Sequence, residues 1–187
     1  IIGGELPVDS PFVTEEDKGD PDLARSMLAD AGISGLTLKM PYGNAGNAPS
    51  IAQAIQQDLG DAGIEVELIP TLTNLFYTSY LFVPEADWDI AVPTWLPDWY
   101  GNAGRTFFVP LLDGRTCGAN SANFGCYDNR TINGLIDQAL EAPTADEAGQ
   151  AWAEADQEAT EDAAWVPLPA IATPRFHSAR RGNYVIS

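Results

Sequence analysis

A short stretch of the chain, residues 95–100, carries side chains that could bind a charged organic ligand. Its sequence is WLPDWY, in which aromatic residues flank the carboxylate of Asp98, namely Trp95, Trp99 and Tyr100. Aromatic faces attract organic cations, and a carboxylate pairs with them directly. The pattern predicts the wall of a pocket for a positively charged ligand. Aromatic residues beside the end of a strand also serve as core or rim residues, and composition alone leaves that alternative open.

The residues before this stretch predict the element that presents it. Trp88, Ile90 and Val92 alternate with Asp89 and Ala91 until a proline ends the pattern. Alternation of this kind predicts a short, largely buried strand, with the pocket residues in the loop that follows it.

Hydrophobic periodicity in the first half of the chain predicts an α/β fold. Asp20 and Pro21 are typical of the start of a helix, which ends at Gly32. A strand over residues 36–40, a helix over residues 50–59 and a strand over residues 64–68 follow. This order is typical of a βαβ unit with parallel strands and a right-handed crossover. Open α/β sheets bind ligands at the carboxyl ends of their strands.

Further elements are predicted in the second half. The helices are one over residues 71–82 capped by Thr71 or Thr73, one over residues 106–112, one capped by Asp128, and one from a Thr144/Glu147 capping box to about Asp162. Residues 165–171 are expected to be extended, residues 175–187 to form a strand, and residues 1–19 to be an extended connector.

Composition and charge exclude several classes of partner. The chain has 187 residues, enough for one substantial domain, and 27 acidic against 9 basic residues give a net charge of −18. Such a surface repels nucleic acid and anionic membranes. No apolar run is long enough to span a membrane, and the first residues lack the basic and apolar regions of a signal peptide.

The two cysteines predict a local disulfide. Cys117 and Cys126 flank the polar segment GANSANFG, and His177 is the single histidine, so a zinc site would lack ligands. A disulfide implies an oxidising, extracytoplasmic compartment. The alternative is a pair of unrelated reduced thiols.

Motifs of enzymes are scarce. The chain has no GxSxG, HExxH or Walker-type loop, and His177 is expected to be a surface or packing residue. Acid pairs such as Asp87 with Asp89 could act as general acid and base, but 27 acids make such coincidences common. We therefore expect no enzyme, no catalytic residue, no cofactor and no bound metal.

Four segments together resemble a known family. They are DPDLARSMLADAGI at 20–33, DWDIAVPTWLPDW at 87–99, PLLDGR at 110–115 and AWAEADQEATEDAAWVPL at 151–168. In this order and spacing they resemble the C-terminal lobe of the extracellular solute-binding proteins of ABC transporters. The subgroup to which they are most similar is the large peptide type, which includes dipeptide-, oligopeptide- and nickel-binding members.

The resemblance implies a fold and a function. The fold is a lobe of the type II periplasmic-binding-protein class, with a mixed, mostly parallel sheet flanked by helices. Residues 1–19 would be a connector from a missing lobe, and residues 20–187 the C-terminal lobe. The implied protein is an extracytoplasmic monomer, held at the membrane only through an anchor outside this chain, that delivers a peptide-like or other small organic solute to permease subunits. A sugar- or metal-chelate-binding member, or an acid-pair hydrolase, are the alternatives.

The resemblance also assigns the site. Trp95 and Asp98 match the tryptophan and aspartate that face the solute in peptide-binding members, where the aspartate pairs with a free α-amino group. The residues implied to line the same cleft are Trp99, Tyr100, Tyr42, Asn44 and Asn47. Peptide-type members often have Ala or Gly where this chain has Pro97, and no Arg or Lys lies between Trp88 and Trp95. This segment therefore supplies no clamp for a peptide carboxylate.

Overall fold

The computed structural model describes residues 19–96, 103–166 and 168. Its helices and strands are α1 (Pro21–Asp30), β1 (Thr37–Gly43), α2 (Ala48–Asp61), β2 (Glu65–Thr71), α3 (Thr73–Phe76), α4 (Ala103–Leu112), α5 (Arg130–Glu141) and α6 (Ala145–Glu161). A π-helical turn, Tyr77–Leu81, continues α3, and a 3-10 turn, Gly114–Thr116, follows α4. The predicted connector before residue 19 and the predicted strand over residues 175–187 lie outside this range.

The predicted strand–helix–strand unit is confirmed. β1 and β2 pair in parallel, in register from Thr37 opposite Glu65 to Gly43 opposite Thr71. The helix between them is ended by a glycine in the left-handed conformation, Gly63 at φ 84°, after which the Ile64 N–H donates to the Leu59 carbonyl at 2.9 Å. This hydrogen bond satisfies a carbonyl that the end of a helix leaves without a partner.

Two separate clusters of buried side chains form the interior. The first lies between the sheet and α2 and contains Met40, Ala52 and Val66. The second joins α4, α5 and α6, where Trp152 stacks on Phe108 with ring centroids 5.3 Å apart. We call them the sheet core and the helical core. Three residues of α6, namely Trp152, Ala155 and Ala159, are buried in the helical core.

The strand predicted over residues 88–92 is wrong, because this segment lies beside β1 in an irregular conformation with a bend at Asp89. The N–H groups of Asp89 and Ile90 both donate to the Lys39 carbonyl, at 3.0 and 3.2 Å. The Lys39 N–H donates to the Asp89 carboxylate at 2.7 Å, so a side chain accepts the bond that a neighbouring strand's carbonyl would accept. Among the described residues the sheet has two parallel strands, β1 and β2, with helices beside them, which agrees with the predicted α/β fold.

Two of the predicted helix caps are confirmed. Asp20 accepts from the Leu23 N–H at 2.8 Å, and Thr144 accepts from the Glu147 N–H at 3.2 Å. In α1, Leu23 and Met27 are exposed in the described part of the chain, whereas Leu28 is half-buried.

The other two predicted caps are wrong. Asn129, not Asp128, caps α5 by accepting from the Thr131 N–H at 2.8 Å. Asp128 instead accepts from Asn133, and a Cβ on Gly114 would overlap its carboxylate. The cap position of α3 is Leu72, which has no side-chain acceptor, so neither predicted threonine caps it.

Candidate functional site

The carboxyl edge of the sheet brings two loops side by side. The Asn44 N–H, just after β1, donates to the carbonyl of Thr71, the last residue of β2, at 2.7 Å. α3 then starts against the end of β1, because a Cβ on Gly43 would lie 3.3 Å from the Cα and the hydroxyl oxygen of Thr73. Only a glycine fits this approach without a shift of the neighbouring chain. Such an edge is where open α/β sheets bind ligands.

A third segment, residues 89–96, approaches the same edge. It starts beside Lys39 in β1, and Ile90 and Val92 pack against the sheet core. Near its end, the Thr94 N–H donates to the Tyr77 hydroxyl at 3.2 Å, and that hydroxyl donates to the Thr94 carbonyl at 3.4 Å. The segment is thus tied to the turn that continues α3.

Trp95 connects this segment to the helical core. Its ring is half-buried against that core, and the indole N–H donates to the Thr106 carbonyl at 2.8 Å. In an uninterrupted helix this carbonyl would accept from residue 110, which is a proline without an N–H. The indole therefore replaces a helical hydrogen bond that Pro110 cannot make.

The structure places four of the predicted ligand residues. Tyr42 is half-buried against the sheet core, whereas Asn44 and Asn47 are exposed in the loop between β1 and α2. Asn47 occupies the cap position of α2, yet its side chain makes no capping hydrogen bond. Tyr42 lies near the end of β1, Asn44 and Asn47 lie in the loop that follows it at the sheet edge, and Trp95 lies on the segment that approaches this edge. Asp98, Trp99 and Tyr100 lie outside the described residues.

Sequence reasoning missed two apolar side chains at this edge. Leu72 and Leu75 fall within the helix predicted over residues 71–82, and they are 66% and 40% exposed. Leu72 directly follows β2, and Thr73 touches the end of β1. The position of Leu72, one residue past a strand end, is the signal that indicates it.

The opposite face of the sheet from α2 holds an open pocket of about 410 Å³, lined by residues that include Lys39, Glu67, Tyr80 and Asp87. Lys39 pairs with Asp87, and this hydrogen bond raises the pKa of the Lys39 ammonium. The pair neutralises the pocket's positive charge. None of the predicted ligand residues that the structure describes lines this pocket, so we place the candidate site at the sheet edge.

The predicted disulfide is confirmed, and the loop that it closes lies next to a cluster of charges. Cys117 and Cys126 are bonded, with Cα atoms 4.9 Å apart. Just before the loop, Arg115 binds two carboxylates, those of Asp113 at 2.8 Å and Asp137 at 2.8 Å. The guanidinium of Arg115 lowers the pKa of the Asp113 carboxyl below its ordinary value. Arg115 therefore links Asp113, the residue that follows α4, to Asp137 in α5.

Solved structures define the class of fold. The clavulanic acid biosynthesis oligopeptide-binding protein 2 superposes with a TM-score of 0.71 at 23% identity, over 84% of this chain and 29% of that one. DppA from Helicobacter pylori, in complex with the peptide STSA, also gives 0.71, at 21% identity over 87% and 32% of the chains. The chain therefore has the type II periplasmic-binding-protein fold, and it spans about a third of the length of these proteins.

The family follows from the sequence itself. The family model of the bacterial extracellular solute-binding proteins, family 5 (middle), matches residues 2–114, which is more than half of the chain. The chain belongs to this family. A third structural neighbour, MoaA from A. tumefaciens R10 in complex with mannopinic acid, gives a TM-score of 0.61 at 17% identity over 77% and 28% of the chains.

No curated protein sequence matches the chain. In the part of the chain that the structure describes, no helix is both long and apolar enough to cross a membrane. The same residues contain no group of three or more His, Cys, Asp or Glu side chains placed to hold a metal ion.

Proposed function

We propose that this chain is the C-terminal lobe, residues 20–187, of a binding protein that captures a peptide-like solute for import by an ABC transporter. The observation that carries the proposal is the family match over residues 2–114, which includes the loops at the carboxyl edge of the sheet. Two neighbours with this fold are described as peptide or oligopeptide binders, which favours a peptide-like solute. The solute is bound when a second lobe closes over this edge.

Each part of the edge has a chemical role in this proposal. Tyr42 and the exposed amides of Asn44 and Asn47 supply an aromatic surface and hydrogen-bonding groups. The aromatic segment that begins at Trp95 faces the solute, and Asp98 accepts from its α-ammonium group. A carboxylate removed from water on closure makes a charge-assisted hydrogen bond that is shorter and stronger than a neutral one.

The protein acts outside the cytoplasm and releases its solute unchanged to permease subunits. The Cys117–Cys126 disulfide supports an oxidising compartment, since such bonds are rare in the cytosol. Family membership supports binding without turnover. A purified protein that converts a peptide or glycoside into products would contradict this part of the proposal.

A second candidate is a solute that is not a peptide. One observation favours it: MoaA, which has the same fold, is described in complex with mannopinic acid. Residues 89–94 also contain no Arg or Lys for a peptide carboxylate. In this case the edge would bind a polar organic solute through its amides and aromatic rings, and Asp98 would not carry an ammonium anchor.

A thermal-shift screen of the full-length protein separates the two candidates. The panel contains di- and oligopeptides with free or acetylated N-termini, oligosaccharides and nickel. A bound solute stabilises the protein by RT ln(1 + [L]/Kd), so the shifts rank the ligands. Shifts with free amines alone support the peptide proposal. Equal shifts with acetylated peptides remove the ammonium anchor, and shifts with sugars alone favour the second candidate.

An Asp98→Asn variant then tests the anchor. Loss of a hydrogen bond to a charged group should weaken an amine-bearing solute by about 1.5–3 kcal/mol. The matched control is Asp87→Asn, because Asp87 is an exposed carboxylate in the same region that pairs with Lys39. Unchanged affinity in Asp98→Asn would exclude this role for Asp98.

A further inference from the structure

The loop closed by the disulfide packs against the turn that continues α3. The ring of Phe124 lies edge-on to Tyr77 in that turn and to Phe82 directly after it, with ring centroids 6.3 Å and 5.6 Å away. The Asn120 N–H also donates to the Phe82 carbonyl at 3.3 Å. A loop at the end of the helical core thus contacts an element at the edge of the sheet.

The other side of the loop is fixed by a buried amide. The side chain of Asn123, in a residue only 2% exposed, donates to the carbonyl of Tyr127 at 2.8 Å and to that of Asp113 at 3.3 Å. It also accepts from the Tyr127 N–H at 3.0 Å. The bond to Asp113 ties the loop to the residue that follows α4, and the bonds to Tyr127 tie it to a residue that packs against the helical core. Movement of the loop relative to the helical core would therefore break buried hydrogen bonds.

The contacts continue from the loop to the candidate site. Phe124 touches the ring of Tyr77, and the hydroxyl of Tyr77 is hydrogen-bonded to both backbone groups of Thr94. Thr94 directly precedes Trp95. The disulfide-closed loop is therefore two side-chain contacts away from the backbone that carries the predicted solute-binding residues.

We propose that Tyr77, supported by Phe124 and the disulfide, is a positioning residue for the solute site. The inference rests on the proposed function, because it concerns the same sheet edge. Segment 89–96 is not part of the regular sheet: backbone bonds to Lys39 hold its start, and side-chain contacts hold its end, around Thr94 and Trp95. A segment that is ordered before the solute arrives loses less conformational freedom on binding, and affinity rises accordingly. The disulfide limits the freedom of the loop and keeps Phe124 in its place on Tyr77.

The first test removes one hydroxyl group from the full-length protein. Tyr77→Phe keeps the ring contact with Phe124 and removes both bonds to Thr94. We expect faster amide exchange, measured by mass spectrometry, in peptides that cover residues 90–96, and a Kd raised about two- to tenfold for the best solute of the thermal-shift panel. Exchange in α5 should not change. Tyr80→Phe is the control, since it changes a second half-buried tyrosine of the same turn, whose side chain lines the pocket on the other face of the sheet.

The second test removes the disulfide with the double substitution Cys117→Ser and Cys126→Ser. We expect the same faster exchange over residues 90–96 and no further loss of affinity when Tyr77→Phe is added. Unchanged exchange in Tyr77→Phe, or faster exchange with unchanged affinity, would overturn the proposal. If the wild-type protein binds no member of the panel, the proposed function fails, and the exchange measurements still decide whether Tyr77 orders the segment.

Discussion

Trp95→Phe should destabilise the protein because it removes the hydrogen bond that compensates for Pro110. The indole N–H donates to the Thr106 carbonyl at 2.8 Å, and phenylalanine has no donor to replace it. The net free energy of such a bond is about 0.5–1.5 kcal/mol. The smaller ring adds a further loss, since the indole packs against the helical core. We expect a total decrease in the free energy of unfolding of about 1–3 kcal/mol.

A double-mutant cycle separates the hydrogen bond from the packing. Pro110→Ala restores an N–H that can donate to the Thr106 carbonyl within α4. The packing loss from Trp95→Phe is the same in both backgrounds and cancels in the cycle. The hydrogen-bond loss should be smaller in the Pro110→Ala background, so we expect a coupling free energy of about 0.5–1.5 kcal/mol.

Urea unfolding followed by far-UV circular dichroism measures all four free energies without relying on the tryptophan that is changed. Trp95→Phe should also weaken solute binding, because Trp95 is one of the predicted solute-binding residues. A coupling free energy of zero would refute the account, since it would mean that the indole does not compensate for the missing helical donor.

Two further predictions concern the neighbourhood of the disulfide loop. Arg115→Met should destabilise the protein at neutral pH and much less in acid. Arg115 lowers the pKa of Asp113, so this ion pair stabilises the fold fully above the ordinary aspartate pKa of about 4. The stabilisation is lost as the pH falls through the folded-state pKa of Asp113. Equal destabilisation by Arg115→Met at pH 7 and pH 2.5 would contradict a stabilising role for this ion pair. Gly114→Ala should cost about 1–3 kcal/mol, because its Cβ would overlap Asp128, whereas Gly134→Ala, with open space around it in α5, should stabilise by up to about 1 kcal/mol. Thermal denaturation of the two glycine variants tests this prediction, and similar melting temperatures for Gly114→Ala and Gly134→Ala would contradict it.

The sequence predicts the elements that depend on local periodicity. The alternation in residues 36–40 and 64–68 corresponds to β1 and β2, and the helical spacing between them corresponds to α2. These predictions hold because each pattern places one apolar face toward a single core. The Thr144 cap of α6 holds because the capping hydroxyl and the N–H that it accepts from are only three residues apart in the chain.

The segment over residues 88–92 shows where periodicity fails. Its alternation is real, and Ile90 and Val92 do pack against the sheet core. A regular strand also needs a ladder of backbone bonds, and here the carboxylate of Asp89 accepts from the Lys39 N–H. Asp and Asn side chains compete with backbone acceptors in this way, and the pattern of apolar residues carries no information about it.

The candidate site was predicted from the aromatic and acidic residues at 95–100 and from a family resemblance, and the contacts that support it were not predicted. Sequence reasoning placed Trp95 in the site but did not connect it with Pro110, fifteen residues further along the chain, or with the Thr106 carbonyl. Tyr77 was expected only as part of a helix, yet its hydroxyl binds Thr94. Such contacts join residues through the folded chain, so no spacing rule predicts them.

The position of segment 89–96 therefore depends on both cores at once. Ile90 and Val92 attach it to the sheet core, whereas Trp95 attaches it to the helical core. A loss of packing in either core should shift one end of the segment relative to the other. The predicted solute-binding residues begin at Trp95, at the end attached to the helical core, so the geometry of the site depends on how the two cores are joined. The aromatic contact of Tyr77 with Phe124 in the disulfide-closed loop is part of that junction.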